Sequence, residues 1–519
     1  MKKSNLIKVT TTAGAVLAAC SILAGCGGGN SGSEEKKTGN AEATILLQGH
    51  TQSTFTTDPA IAYQGANSVN MGTCETLFTL DNSTRQVVPN LAKGIEKVDA
   101  NTWKVTIKDG IKFTNGKDLT GEACKTALEY TFAKNTSLTG IVKVASIEAR
   151  GQTVTIKTEK PSAILPRILT STDALIFDTS ASDYMRGLIG TGPYILEKMD
   201  AEGNCELVRN DKYWKGKPGL AKLHTKTGLD AKAVTRALQS GEIDWASVPS
   251  TDLKLFEGNS GFNVIKKNAG RVYFLYVNPN FTSTKDPAVR GAVQHAFNRE
   301  DIVSGVYSNQ GAVTTSIFTS DSRFYQEQTK DVKYNPDQAK KILADAGYKD
   351  TNGDGFVDKD GQNIKFNIVT YKANSFPKLC EVLKEELKVI GIDSEIKVSE
   401  QVMDELKKSE FNIATYGYNT ETFGDCQNYL QPVYQTGKPS NFIKFSSQAL
   451  DRYVEQLETE SDEAKRAELG KNIQKEIYKE TDHIYLMHVV NSLVSKKDVK
   501  GLDYGMYGLD PAALWKITK

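Results

Sequence analysis

Apolar and polar residues alternate at period two along Thr102-Trp103-Lys104-Val105-Thr106-Ile107-Lys108, and again from Gln152 to Thr158, each run bounded by Gly or Pro. Both runs predict half-exposed strands. Between them, 121–134 carries Ala123, Ala127, Leu128, Tyr130 and Thr131 at helical spacing, which predicts an α+β unit with one solvated sheet face. Asn335-Pro336, ahead of Ala339, Ile342 and Leu343, is a cap followed by a first-turn proline, and Gly347 ends that helix. A second helix runs from Phe376 to Ile390 on Leu379, Val382, Leu383, Leu387 and Ile390 and stops at Gly391; Ile392–Val398 then alternates as a strand. The block from Leu450 to Lys479 is rich in i,i+4 charge pairs and reads as a solvent-facing helical cover. Strands and helices interleave throughout, as in an α/β protein.

The chain's start is patterned differently. Lys2, Lys3 and Lys8 precede a small-residue apolar run, Val9 to Leu23, too short to span a bilayer. Leu23-Ala24-Gly25-Cys26 resembles the bacterial lipobox, which implies removal of residues 1–25 and acylation of Cys26 as the mature N-terminus. Residues 26–40, with Gly, Ser, Glu and Lys prevailing, read as a flexible tether. No later run approaches the ~20 apolar residues of a transmembrane helix, so the expected place is the outer face of the cell membrane, held by lipid alone.

Composition narrows the function classes. Taking Lys2, Lys3 and Lys8 from the 64 basic residues leaves 61 against 63 acidic, a net charge of −2 that offers nothing to nucleic acid. The stretch beyond the tether exceeds what one core holds, so two or more lobes are expected. Cys74, Cys124, Cys205, Cys380 and Cys426 are odd in number, widely spaced and without CxxC pairs, which argues against a disulfide framework or a zinc ribbon.

Signatures of catalysis are scarce. GxSxG, HExxH and GxxxxGK[ST] are absent, and Ser33-Glu34-Glu35-Lys36, which matches SxxK, lies in the tether, where nothing would pre-organise a nucleophile. A cell-surface hydrolase is therefore the competing reading of another class, without a nucleophile to support it. His483 and His488, five apart in an apparent strand, are expected on opposite faces. Asp350, Asn352, Asp354 and Asp358 occupy positions one, three, five and nine of a calcium loop with Gly355 at six, but Gly361 stands where a bidentate Glu is required. An Asx/Gly turn is the better reading.

Leu91-Ala92-Lys93-Gly94 through Trp103 to Gly116 resembles the signature of the family 5 extracellular solute-binding proteins, the oligopeptide, dipeptide and nickel receptors of ABC importers. Further matches follow in the family's order: Ile189-Gly190-Thr191-Gly192-Pro193-Tyr194, Asn210 to Pro218, Leu238 to Asp244, Val289 to Arg299 and Asp337 to Gly347. The resemblance implies two α/β lobes that close on a solute like a clamshell, joined by hinge strands, with an extra α+β subdomain in the first lobe. Lobe I would comprise 41–272 plus 490–519, with the insert at about 75–188, and lobe II 273–489. It also implies a monomeric, non-enzymatic receptor without cofactor, which hands its solute to permease subunits driven by cytoplasmic ATPases. In peptide-binding relatives a loop carboxylate after a glycine-aromatic pair holds the ligand's ammonium; here Glu421 falls closest to that position, with Asp425 the alternative. Asp425 equally reads as a cap and Glu421 as solvated. Tyr416, Tyr418 and Phe423 would supply apolar wall, His50 and His488 could face the cleft, and Asn491 lies at the return crossing. Gln427 stands at the nickel-type histidine position, and Thr170–Asp178 lacks arginine, which ranks peptide first and a metal chelate second.

Overall fold

A computed structural model describes residues 41–47, 55–61, 63–184 and 187–519. Cys26, the tether and His50 lie outside the described residues. An eleven-stranded sheet runs through the molecule in the order Tyr194–Met199, Cys205–Arg209, Lys222–Lys226, Glu42–Leu46, Trp245–Ala246, Ile484–Lys496, Phe262–Val277, Ile413–Asn419, Lys365–Thr370 and Asp393–Val398, with Gly311–Val313 added alongside Ile484–Lys496. Its two longest strands, Phe262–Val277 and Ile484–Lys496, pair antiparallel and belong to both halves. One end of the pair packs with Trp245, Leu493 and Val494 in one lobe; the other, through Phe274, Leu275, Ile484 and Tyr485, enters the cores of the second.

The register of this pair shifts between Asn268 and Val272, around Gly270 at φ +59°, a left-handed conformation that suits glycine. The ladder is thus interrupted where the chain passes from lobe to lobe. Shared strands give a hinge that turns without breaking either core.

The first lobe carries an antiparallel sheet in the order Ala92–Lys97, Thr102–Ile107, Thr153–Thr158, Val144–Arg150, covered by the helix Gly121–Lys134. Thr120 caps that helix through its hydroxyl on the Ala123 N–H, and Trp103, Val105, Ile107, Val154 and Ile156 form the buried sheet face. In the second lobe Pro336–Asp345 and Phe376–Val389 are helices and Asp393–Val398 a strand, as the pattern predicts. Among the described residues no helix is long and apolar enough to cross a membrane.

Two expectations are corrected. The charged block after Leu450 is two helices, Gln448–Thr459 and Glu463–Glu480, broken at 460–462, and it is more than a cover. Leu450, Val454, Leu457, Ile473 and Ile477 are core residues. His483 and His488 share one sheet face, because Tyr273 pairs with Met487 while Phe274 pairs with Tyr485, leaving Leu486 as a bulge. The extra residue reverses parity, so His488 lies opposite Val272 on the face where the His483 ring sits 5.0 Å from Tyr276.

Candidate functional site

The hinge strands open onto an interlobe cavity of about 390 Å³, lined among others by Asn70, Trp245, Gln310, Val490, Asn491 and Tyr507. Among the described residues its lining includes no charged side chain. A second space of about 290 Å³ within the first lobe shares Asn70, Tyr507, Leu509 and Pro511 with it and adds Glu75 and Asp510. Glu75 is already satisfied there by Thr191, Tyr213, Trp214 and Lys215.

Beside the cavity, the strand Ile413–Asn419 of the second lobe ends in a loop that reaches the first lobe. Tyr507, on the cavity wall, donates its hydroxyl to the Glu421 carbonyl at 2.9 Å. The Glu421 carboxylate is 2% exposed and accepts from Arg85 Nη1 at 3.2 and 3.3 Å, while Arg85 Nη2 reaches Asp321 at 2.7 Å. Phe423, at φ +56°, packs against the insert's core, and its carbonyl accepts from Arg167 at 3.1 Å. A non-glycine residue in that region is strained and persists only where its surroundings hold it. Gly424 follows at φ +69°; a methyl there would meet Arg167 Nη1 at 2.7 Å and the Arg85 carbonyl at 2.9 Å. The lobes therefore meet more closely than any side chain permits.

Asp425 turns the other way, into the second lobe. Arg466 grips it through Nε at 2.9 Å and Nη2 at 2.7 Å, and its Oδ1 accepts the Gln427 N–H at 2.9 Å. Burial alone would raise this carboxyl, but the charge and hydrogen bonds of Arg466, with Arg167 at 3.7 Å, hold it below the usual carboxylate range. For Glu421 burial prevails over Arg85 and pushes the carboxyl up. Arg323 and Arg167 both reach Glu463, at 2.9 and 2.7 Å, which extends the ion-pair network to the second lobe's helices. Away from the loop, Ala163 donates to the Glu458 carbonyl and Lys97 to that of Thr459, across the same lobe boundary.

Of the residues singled out in the sequence, Asn491 lines the cavity, and Glu421, Phe423 and Asp425 form the loop beside it. Tyr416 and Tyr418 are half-buried in an aromatic layer with Phe274, Tyr276 and Tyr429, outside the cavity lining. His488 is buried, faces the backbone of Ser316 and Phe318 without a well-formed hydrogen bond, and is held by burial to a pKa of about 4. At the 350–358 turn, Asp350 accepts the N–H groups of Gly353 and Gly355, Asp354 that of Phe356, and Asp358 that of Thr351, while Asn352 accepts that of Asp354. These oxygens close the turn itself.

Arg85, Arg167, Arg323, Arg466 and Tyr507 were not anticipated. A signal existed for one of them: Arg466, Gly470, Ile473 and Ile477 follow helical spacing, which places Arg466 on the inner face. The others act across more than 80 positions and leave no local trace.

Residues 86–441 match the family model described as bacterial extracellular solute-binding proteins, family 5. The nickel-binding protein NikA of Staphylococcus aureus is 27% identical over 503 residues, covering 95% of this chain and 97% of its own; its crystal structure, in complex with Ni(L-His)2, has a TM-score of 0.70 at 25% identity over 92% of this chain and 100% of that one. The oligopeptide-binding protein AppA of Bacillus subtilis is 27% identical over 448 residues, 80% of each chain. A nickel ABC transporter structure from Bacillus halodurans superposes with a TM-score of 0.81 at 26% identity, covering 92% of this chain and all of that one. With the family model spanning well over half the sequence and the two-lobe fold matched over 92% of it, the chain belongs to the family 5 extracellular solute-binding proteins, the solute receptors of ABC importers.

Proposed function

We propose that the protein captures a compact, net-neutral metal chelate, a divalent cation wrapped by amino-acid ligands, and delivers it to its permease. The observation that carries this reading is the internal pairing of the carboxylates in the loop beside the cavity. Glu421 and Asp425, the candidate anchors for a peptide ammonium, already hold Arg85 and Arg466. A peptide would bring an uncompensated ammonium to a wall with no anion among the described lining residues. In a bis(amino acid) chelate the amines and carboxylates are taken up by the metal, and Ni²⁺ with two histidinates carries no net charge.

Size favours the same solute. The cavity lies at the small end of the ~300–1,000 Å³ common for small-molecule sites, whereas an extended nonapeptide reaches about 30 Å. Amides such as Asn70, Gln310 and Asn491 suit the outward oxygens of a chelate, and Trp245 and Tyr507 its flat apolar surfaces. Peptide, ranked first on sequence, thus falls behind chelate once the carboxylates are seen with their partners. Capture proceeds by population shift, because a solute touching both lobes favours their closed arrangement. Acylation of Cys26 would keep the receptor beside its transporter.

Calorimetric titration of the purified protein with preformed nickel–histidine complex, combined with metal analysis of the isolated protein, tests this. One equivalent of chelate bound is expected. Retention of peptides at one equivalent, with no metal and no response to the chelate, would overturn it.

A further inference from the structure

The hairpin Phe78–Leu80 and Val87–Pro89 presents Arg85 to the opposite lobe. Its placement is built in several ways. Arg85 itself stands at φ +58°, its N–H donates to the Asp81 carbonyl at 2.8 Å, and its own carbonyl accepts from Arg167 at 3.0 Å. Asp81 in turn takes the N–H groups of Ser83 and Thr84. A turn strained at the tip and braced at its base sets a guanidinium between Glu421 of the loop and Asp321.

A mobile surface arginine would not be held in this way. Arg85 is 8% exposed and Glu421 2%, so the pair is shielded from water on both sides of the lobe boundary. Tyr507 links it to the cavity wall through the Glu421 carbonyl. An ammonium seeking Glu421 must therefore displace a cation that the fold has already seated.

We infer that Arg85 is a specificity-determining residue: as a built-in cation on Glu421 it excludes solutes that carry a free ammonium and leaves the cleft to solutes that carry none. This rests on the chelate reading, in which the amines are bound to metal. It goes further in naming the residue that rejects peptides and predicting what its loss admits. Arg167 and Arg466 do not share the role, since Arg466 is committed to Asp425 and Arg167 to Glu463 and the loop carbonyl.

The test measures binding of tri-alanine and N-acetyl-tri-alanine, by calorimetry, to the wild type, Arg85→Gln and Arg85→Gln/Glu421→Gln. The wild type is expected to bind neither, or both within about threefold. Arg85→Gln should favour the free amine over the acetylated form by at least tenfold, and the double variant should lose that preference. A tenfold preference for the free amine in the wild type overturns the inference without relying on any variant. So does the absence of preference in a folded Arg85→Gln protein; should that variant not fold, Arg85→Met, which keeps the apolar stem and drops the charge, takes its place. Binding of the nickel–histidine complex by the wild type is scored separately. Its absence overturns the chelate reading and leaves the Arg85 result standing or falling on tri-alanine alone.

Discussion

Arg466 carries a full charge into the second lobe with 1% of its surface exposed, and every donor it has is used. Asp425 takes two, the carbonyls of Leu457 and Glu460 share Nη1 at 2.6 and 2.7 Å, and Gln427 accepts from Nη2 at 3.1 Å. Leu457 lies in the last turn of the helix Gln448–Thr459 and Glu460 in the break before Glu463–Glu480, so this one side chain ties the helix end and the break to the base of the loop that follows Ile413–Asn419. A buried pair of this kind adds little net stability as a unit, but removing one member strands the other's charge. Asp425→Ala is therefore expected to lower the unfolding free energy by about 3–5 kcal/mol, read from urea unfolding at neutral pH. A loss below about 1 kcal/mol, the size of a surface ion pair, would show that Arg466 finds water or another acid.

Among the elements, the loop 420–426 after the strand Ile413–Asn419 brings the two lobes into contact at a glycine. Gly424→Ala adds a methyl against Arg167 and the Arg85 carbonyl and forces a side chain into a left-handed conformation, which costs about 1–2 kcal/mol before any clash. The strain can be relieved by letting the lobes part. The variant is expected to show a larger radius of gyration by solution scattering and a solute affinity lower by at least about tenfold, the equivalent of 1.4 kcal/mol. Unchanged scattering and affinity would mean that the loop rests on the first lobe without clamping it. Elements like the helices Gly121–Lys134 and Phe376–Val389 were legible in the sequence because cap, period and stop all lie within one short window. The bulge at Leu486 was not, since it exists only as a mismatch between two strands more than 200 positions apart. For the same reason Glu421 could be picked out while Arg85, its partner from the other lobe, could not, and Arg466 could be placed on an inner helix face but not on Asp425.

Across the whole molecule, groups whose burial outweighs their pairing add their own pH dependence to that of paired carboxylates such as Asp425. Glu386, on the helix Phe376–Val389, accepts the Asn298 N–H at 3.1 Å, but burial pushes its carboxyl up to about 7, with Asp301 adding to the rise and Arg299 opposing it. Its folded form holds a proton that the unfolded chain releases near 4.5, so its contribution is full below pH 4.5 and is lost as pH rises through 7. His483 and His488 act in the opposite sense: burial lowers them to about 3 and about 4, so both favour the fold above pH 6.5 and withdraw that support as pH falls. The two effects overlap between pH 4.5 and 6.5, where the contributions of these three groups partly cancel. Glu386→Gln removes one of them. The difference in unfolding free energy, wild type minus variant, should therefore fall by about 1–2 kcal/mol between pH 4.5 and 7.5, the full shift being reduced by the carboxyl's partial contact with solvent. Urea unfolding at four pH values reads it directly, and because the histidines are common to both proteins they drop out. A difference that stays constant would place the Glu386 proton in the unfolded chain's range.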